Sequence, residues 1–249
     1  MKDTVLEHEL LQDHYSIEQA ETLQIAWLKE AEKEELKTIN IENIKLIAGV
    51  DISFPKSDDP KWGIACAVLW DYQTNNIITH EFVKGVLNFP YTPGFLGFRE
   101  NKLIAQAILN LPNKPDVIMC DGHGIIHPRR FGEAMHLGLA LKIPSFGVAK
   151  NPFIGNSDWK LLSRTKGEKT PVWINKVENE PQSDREILGT AICVTDNCKP
   201  VFVSIGYRMS LEIALKLTTD TSINHRQPEP VYYADNLSRE ELKKKIKDI

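Results

Sequence analysis

The chain has 249 residues and a formal net charge of −4 at pH 7, and its length suits one large domain or two small ones. Hydrophobic residues make up 42% of it and charged residues 26%, which excludes a disordered, collagen-like or coiled-coil chain. No apolar run approaches the roughly 18 residues of a membrane span, and no signal peptide is expected at the start. The small negative charge excludes a histone-like positive coat, but it is compatible with a local basic cleft for phosphates.

The four cysteines predict reduced thiols with a structural role. Cys66, Cys120 and Cys193 lie in apolar runs, where a thiol behaves as a small hydrophobic side chain. Cys193 and Cys198 form the nearest pair, but without a second pair they make a poor zinc site. We therefore expect a cytoplasmic protein that binds no membrane.

The first part of the chain predicts a helix followed by three strands. Residues 1–15 are polar and aperiodic, which indicates a loosely ordered terminus. Ser16 and Gln19 form a capping box before a helical pattern over 17–37. Short connections between the next three strand patterns predict an antiparallel meander, and these patterns lie at 45–54, 62–71 and 76–83.

After this meander, strands and helices alternate, which predicts parallel pairing in a mixed sheet. The alternating elements are a helix at 95–110, a strand at 116–120, a Gly-rich loop at 121–128, a helix at 129–141 and a strand at 144–149. The later elements are a strand near 170–177, a hairpin of 188–195 and 200–207, a helix at 210–220 and a polar tail, loosely ordered over 238–249. We expect a single α/β domain over 1–249.

Three acidic residues interrupt apolar patterns. Asp51 lies within the first predicted strand, Glu100 lies on the apolar stripe of the 95–110 helix, and Asp121 ends the buried run 117–120. Taken singly, they are also consistent with a surface aspartate, a helix-rim ion pair and a turn aspartate. Taken together, carboxylates from a strand, a helix and the end of a parallel strand can converge on one Mg²⁺. Such a site predicts metal-assisted phosphoryl transfer with water as the nucleophile.

Basic residues follow Asp121 along the chain. His127, Arg129 and Arg130 come at the start of the next predicted helix, where the arginines can hold phosphate oxygens or pair with a nearby glutamate. Lys150 ends the following strand, where a lysine can stabilise charge on a scissile phosphate. His127 is a candidate metal ligand, phosphate donor or structural histidine.

The turn at 89–94 has two prolines that brace an aromatic and a small residue directly before the helix of Glu100. A rigid aromatic side chain such as that of Tyr91 can part base pairs or stack on a displaced base. The alternative is a helix-entry turn in which Tyr91 packs on the core.

Several segments of the sequence resemble the endonuclease V family, deoxyinosine-type nucleases with an RNase H-like fold. These segments are IAGVDISF (47–54), PYTPGFLGFRE (90–100), PDVIMCDGHGIIHPRRFGEAMHLG (115–138), PSFGVAK (144–150) and, more weakly, QPEPVYYAD (227–235). The resemblance covers most of residues 20–237, and DGHGIIHPRR with the downstream GVAK is its most specific part. It implies a monomeric α/β protein with an RNase H-like fold, in which helices flank a mixed central sheet.

The resemblance also implies roles for the site residues. Asp51 and Asp121 would bind Mg²⁺, for which Mn²⁺ is expected to substitute, and Glu100 would complete the carboxylate set. Lys150 would contact phosphate, and His127 would act in the catalytic or substrate site. A strand-separating wedge would be formed by Pro90, Tyr91, Thr92 and Pro93. A pocket for a flipped hypoxanthine would be bordered by Gly94, Leu96, Gly122 and Gly132.

The implied reaction is hydrolysis of the second phosphodiester bond on the 3′ side of inosine, in DNA or RNA, which leaves 3′-hydroxyl and 5′-phosphate ends. The implied process is DNA repair. Two alternatives from other classes are a non-catalytic nucleic-acid binding module on the same fold and a small-molecule metallohydrolase. The second alternative would use Asp121, His123 and His127.

Three segments depart from the usual pattern of the family. The wedge carries Thr92 where isoleucine is common, and the late GHR motif reads Gly206-Tyr207-Arg208. A basic residue is replaced within Val231-Tyr232-Tyr233. These changes concern strand contacts rather than the carboxylates. Asp235 aligns with a functional histidine or aspartate of the family and is a further candidate.

Overall fold

One mixed eight-stranded sheet forms the centre of the protein, whose computed structural model describes residues 9–34, 38–57, 60–174 and 186–247. The strands are β1 Leu46–Ser53, β2 Trp62–Asp71, β3 Asn76–Val86, β4 Val117–Cys120, β5 Ser145–Ala149, β6 Lys169–Trp173, β7 Ile187–Ile192 and β8 Val201–Ile205. The α-helices are α1 Ile17–Lys33, α2 Leu96–Asn110, α3 Glu133–Leu141, α4 Leu211–Asp220 and α5 Glu229–Lys247.

The strand order is β3-β2-β1-β4-β5-β8-β7-β6. Strand β2 pairs antiparallel with both β1 and β3, which confirms the predicted meander. Strands β1, β4 and β5 run parallel to one another, and the pairs from β5 through β8 and β7 to β6 are antiparallel. Because the carboxyl ends of β1, β4 and β5 meet at one edge, Asp121 and Lys150 come together beside the end of β1.

Different helices cover the two faces of the sheet. On one face, Val50 of β1 belongs to a core that includes Ile104 of α2 and Leu137 of α3. On the other face, Ile47 of β1 packs in a core with Val231 of α5. Alternation along β1 therefore directs successive side chains to opposite helix layers, and the predicted mixed sheet with flanking helices is confirmed.

The helix predicted over 129–141 begins only at Glu133. Arg130 has φ +57°, a left-handed conformation that does not fit within an α-helix, and Gly132 is the N-cap residue. His127, Arg129 and Arg130 thus lie in the loop before α3, and the prediction that they start a helix was wrong.

The described ends of the chain are more ordered than the sequence predicted. Leu10 and Leu11 are buried in the core. Helix α5 continues to Lys247, where the sequence predicted a loosely ordered tail. Ser238 and Leu242 are buried at a spacing of four residues, so one stripe of this polar helix packs inward. Residues 1–8, 35–37, 175–185 and 248–249, which include parts of the predicted first helix and of the predicted 170–177 strand, lie outside the described residues.

The described helices include none that is long and apolar enough to cross a membrane. All four cysteines are unpaired, and Cys66, Cys120 and Cys193 are buried, as their apolar surroundings predicted.

Candidate active site

Three aspartates meet near the carboxyl ends of β1 and β4. Asp51 lies in β1, Asp121 directly follows β4, and Asp235 lies on α5. One carboxylate oxygen of each residue lies within 4.8 Å of the others. The parallel register of β1 and β4 brings Asp121 beside Asp51, since the Asp121 backbone N–H lies 3.3 Å from the Val50 carbonyl oxygen. We call these residues the aspartate cluster.

Gly49 lets α5 approach the sheet closely enough to deliver Asp235. A Cβ at Gly49 would overlap the backbone carbonyl group of Pro230 in the first turn of α5. Eight residues after Pro230 on α5, Ser238 also touches β1, because its Oγ lies 2.7 Å from Ser53 Oγ. The glycine therefore sets the position of α5 over β1, and with it the place of Asp235 above Asp51.

Basic side chains border the aspartate cluster. Lys150 follows β5, and its Nζ donates to Asp121 Oδ2 at 2.6 Å and lies 3.7 Å from Asp235 Oδ2. Arg239, one turn after Asp235 on α5, places Nε 2.7 Å from Asp235 Oδ1. The predicted neighbourhood of Lys150 and Asp121 is thus observed, and Lys150 lies where it can reach a phosphate held by the cluster.

Two buried glutamates lie behind the aspartate cluster. Glu100 of α2 and Glu133 of α3 are 5% and 6% exposed. Glu133 abuts Gly122, since a Cβ at Gly122 would overlap Glu133 Oε2. Burial, followed by the charges of Glu133, Asp51 and Asp121, raises the pKa of Glu100 well above its ordinary value. Glu100 comes from the helix layer opposite α5, so Asp235 rather than Glu100 forms the three-carboxylate group with Asp51 and Asp121.

Burial and the repulsion between neighbouring charges shift Asp51, Glu100 and Glu133 toward the protonated form. Burial, followed by the charges of Asp121 and Asp235, raises the pKa of Asp51 well above its ordinary value. Burial and the charge of Asp121 raise the pKa of Glu133 to about 8. Burial alone would lower the pKa of Lys150, but Asp121 and Asp235 raise it.

Such a set of oxygen donors fits a hard divalent cation such as Mg²⁺, whose charge would relieve the repulsion. Among the described residues, the group that could hold a metal contains no histidine or cysteine. This composition is unlike that of a zinc site. The small-molecule metallohydrolase built on His123 and His127 therefore has no support in this geometry.

The raised pKa of Glu133 predicts a pH-dependent stability of the metal-free protein. A carboxyl with an ordinary pKa of 4.5 and a folded-state pKa of about 8 keeps its proton only in the folded state over that interval. Stability therefore falls as pH rises from about 4.5 to 8. In EDTA, we expect a lower thermal midpoint at pH 8.5 than at pH 6.0, and a smaller difference for Glu133→Gln. An equal pH dependence in the two proteins would contradict this role of Glu133.

A cavity of about 290 Å³ lies beside the aspartate cluster. Seven of the residues predicted to contact the substrate line it: Tyr91, Thr92, Pro93, Gly94, Leu96, Gly122 and Gly132. Asp121 and Gly122 are adjacent in the chain, so the cavity and the aspartate cluster share one short loop. The predicted base pocket and the predicted metal site are thus neighbours in the structure.

His127 also lines this cavity, and both of its ring nitrogens have partners within the protein. Nε2 lies 2.9 Å from the Gly94 carbonyl oxygen, which can only accept, so this nitrogen carries the proton. Nδ1 accepts from the backbone N–H of Arg129 at 3.2 Å. Burial lowers the pKa of His127 to about 4, which keeps the ring neutral. In this arrangement His127 holds the cavity wall in place, and it is outside the aspartate cluster.

The two arginines after His127 are engaged by acceptors from other segments. Arg130 donates to both carboxylate oxygens of Glu186, at 2.7 and 2.6 Å. Arg129 pairs with Glu21 of α1 and stacks its guanidinium over Phe95 at 4.4 Å from the ring centroid. Their contact with phosphate stays a prediction, because both guanidinium groups already pair with carboxylates of the protein.

Prolines and buried aromatics brace the predicted wedge. The Thr92 carbonyl accepts the N–H of Phe95 at 3.0 Å and so closes the turn. Phe89 and Phe95 on either side are buried and pack against each other. Tyr91 at the tip is 65% exposed. The turn therefore presents its tyrosine to solvent, rather than to the core as in the alternative interpretation.

Several residues of the cavity wall were not singled out in the sequence, among them Phe153 and Gln24. Phe153 is 40% exposed and packs near the rings of His123 and His127. Gln24 reaches the cavity from α1. The signal for Phe153 was its place three residues after Lys150, and Gln24 had one weak signal, a polar residue on the inward side of an amphipathic helix.

Comparisons with known proteins agree with this geometry. The protein-family model described as Endonuclease V matches residues 28–236. The protein named Endonuclease V from Dictyoglomus thermophilum is 36% identical over 219 residues, which are 88% of this chain and 90% of that protein. The crystal structure of Endonuclease V from Streptomyces avermitilis superposes with a TM-score of 0.75 at 31% identity, over 94% of this chain and 96% of that one.

A further solved structure contains nucleic acid. It is Ciona intestinalis Endonuclease V in complex with a 24mer DNA containing an inosine followed by a ribo-adenosine. It superposes with a TM-score of 0.72 at 30% identity, over 89% of this chain and 98% of that one. The family match over most of the chain, together with these relatives, shows that the chain belongs to the endonuclease V family.

Proposed function

We propose that this endonuclease recognises deaminated purines, above all inosine, and hydrolyses the second phosphodiester bond on their 3′ side. Cleavage would leave 3′-hydroxyl and 5′-phosphate ends, in DNA or RNA. The observation that carries the proposal is that the cavity adjoins the aspartate cluster through the neighbouring residues Asp121 and Gly122. The inosine-containing DNA bound by the Ciona intestinalis relative supports the choice of substrate.

The cavity suits a base that has left the helical stack. Its walls are backbone at Gly94 and Gly122 and the ring of Phe153, so a planar base can stack while main-chain groups read its edge. Flipping is the physical route by which a protein inspects a base in this way. Tyr91, exposed at the rim, would fill the gap that the base leaves in the strand.

The aspartate cluster would hold Mg²⁺, with Mn²⁺ as a substitute, through Asp51, Asp121 and Asp235. When bound there, the ion supplies Lewis acidity at the scissile phosphate and charge stabilisation at the leaving 3′-oxygen. Lys150, already donating to Asp121, would shift toward a phosphate oxygen and balance the charge of the transition state. Glu100 would orient the attacking water or a ligand of the ion from behind the cluster.

The strand would leave the cluster along a second groove of about 780 Å³. Besides Asp51 and Asp121, this groove is lined by Lys56, Arg239 and Lys243. Given a cut on the 3′ side of the base, the segment in this groove is the downstream one. Positive side chains beyond the carboxylates match the phosphates of that segment.

Charge reversal in this groove tests the path of the strand. Lys56→Glu combined with Lys243→Glu should weaken binding of an inosine-containing strand about tenfold and lower the slope of log Kd against log salt by about 2. Fluorescence anisotropy at several salt concentrations measures both quantities. Lys114→Glu, at an exposed site before β4 and away from this groove, is the control for charge reversal elsewhere on the surface, to be compared with each single variant of the groove. Equal slopes for the wild type and the double variant would place the strand elsewhere.

An incision assay tests the proposed function. Labelled oligonucleotides of DNA and of RNA, each with one inosine, are incubated with the protein in Mg²⁺ and in EDTA. We expect nicking of the inosine strand in Mg²⁺ only and no nicking of a matched strand without inosine. Equal cleavage of both strands, or cleavage in EDTA, would contradict the proposal. The unpaired cysteines are consistent with a reducing compartment such as the cytoplasm. We include in the proposal that the protein is a cytoplasmic monomer that acts in DNA repair.

A further inference from the structure

Gln24 joins three separate segments at the cavity. It lies on α1 with 2% of its surface exposed. Its Nε2 donates to the carbonyl oxygens of Gly94 at 2.9 Å and Phe131 at 3.1 Å, and its Oε1 accepts from Arg129 Nε at 2.5 Å. Both donors and the acceptor of this buried amide are thus used, by the turn at Gly94 and by the loop that carries Arg129 and Phe131.

The Gly94 carbonyl oxygen is the point where these contacts converge. It accepts from Gln24 Nε2, from His127 Nε2 at 2.9 Å and from Arg129 Nη2 at 3.3 Å. Gly94 itself has φ +87°, a conformation that favours glycine and leaves its backbone dependent on outside contacts. It follows the wedge directly and lines the cavity. One oxygen atom therefore fixes both the base of the wedge and the rim of the cavity.

Arg129 links the Gly94 carbonyl oxygen to α1. Its guanidinium lies over Phe95, pairs with Glu21 at 3.3 Å and donates from Nε to Gln24 Oε1. Helix α1 thereby adds polar contacts with the loop before α3 and the turn before α2 to the apolar packing of Trp27 against Phe131. None of these groups belongs to the aspartate cluster, so a change here leaves the metal ligands in place.

We propose that Gln24 is a positioning residue for base recognition, which together with Arg129 holds the Gly94 carbonyl and so sets the rim of the cavity and the direction of Tyr91. Gln24 lies outside the residues 28–236 that match the family model. The proposal rests on the proposed function for its substrate. If the rim is already ordered in the free protein, binding of the flipped base loses less conformational entropy. The resulting gain in affinity applies to the strand whose base enters the cavity and not to an undamaged strand.

The test compares Gln24→Met with Lys29→Met. Methionine keeps the length of the buried side chain but removes all three hydrogen bonds, whereas Lys29 is exposed on the same helix. The first readout is hydrogen–deuterium exchange of the amides of 91–95 in the free protein. The second is the ratio of dissociation constants for undamaged and inosine-containing strands, measured in EDTA.

We expect Gln24→Met to speed exchange in 91–95 at least about tenfold and to lower the affinity ratio about tenfold, with binding of the undamaged strand unchanged. Lys29→Met should leave both readouts at the wild-type value. Gln24→Glu, which keeps the acceptor for Arg129 but loses both donors to carbonyls, should behave like Gln24→Met at Gly94. Unchanged exchange, or equal losses of affinity for both strands, would overturn the proposal.

The two readouts also separate this inference from the proposed function. If the wild-type protein does not prefer inosine, the proposed substrate is wrong, and the exchange rates still decide whether Gln24 holds the turn. If the wild type prefers inosine and Gln24→Met keeps that preference, the positioning role is wrong and the substrate assignment stands.

Discussion

Replacing Asp121 with Asn should lower the rate of strand cleavage by about 10³-fold and leave the affinity for the inosine-containing strand within about threefold of wild type. Asp121 belongs to the aspartate cluster with Asp51 and Asp235, and it accepts a hydrogen bond from Lys150 Nζ. The neutral amide removes one charged ligand of the expected Mg²⁺ and the acceptor that orients Lys150. The cavity keeps its shape, because Gly122 and Gly132 are untouched.

Single-turnover cleavage and anisotropy binding measure the two effects separately. Glu212→Gln, at an exposed site on α4, is a control for removing one negative charge from the surface. Circular dichroism of both variants verifies folding. If Asp121→Asn retained more than about a tenth of the wild-type rate in Mg²⁺, the aspartate cluster would not be the catalytic centre.

Replacing Gly49 with Ala lowers the free energy of unfolding by about 3 kcal/mol, which for a chain of this size is a fall of about 10 °C in the thermal midpoint. The added methyl group would overlap the Pro230 backbone, and neither β1 at the centre of the sheet nor the start of α5 can shift without losing its packing. Because α5 carries Asp235, we also expect cleavage to fall in protein that is still folded.

Gly85→Ala is the matched control for this substitution. Gly85 lies on the edge strand β3, where the atoms nearest to the new methyl group belong to the Leu103 side chain rather than to backbone. A side chain can shift more readily than backbone, so we expect a smaller loss of stability than for Gly49→Ala. Thermal unfolding of both variants measures the difference. Equal stabilities would show that α5 is not held in place by close contact at Gly49.

The strands of the meander were predictable because their patterns are local. Strand β2 covers Trp62–Asp71, the same residues that its apolar run indicated. Asp51 and Asp121 could be singled out for the same reason, since each interrupts or ends an apolar strand. Their proximity then follows from parallel pairing of β1 with β4. A carboxylate at the end of a buried strand can thus be recognised from a single sequence.

The partners supplied by distant segments could not be predicted in this way. Asp235 reaches Asp51 only because α5 packs across β1, and the polar composition of that helix suggested a loose tail. Glu186 and Glu21, which engage Arg130 and Arg129, are separated from them by 56 and 108 residues. No local pattern specifies such pairs. The position of the arginines in the sequence therefore suggested a helix N-terminus at which both side chains bind phosphate.

Mapping of the cut site tests the central claim most directly, namely that a base in the cavity places a phosphate on its 3′ side at the aspartate cluster. A strand with one inosine, labelled at either end in separate reactions, is incubated with the protein and Mg²⁺, and the products are sized at single-nucleotide resolution. The account predicts one nick at the second phosphodiester bond 3′ to the inosine, with a 5′-phosphate on the downstream product. A nick on the 5′ side, or removal of the base without strand cleavage, would contradict it.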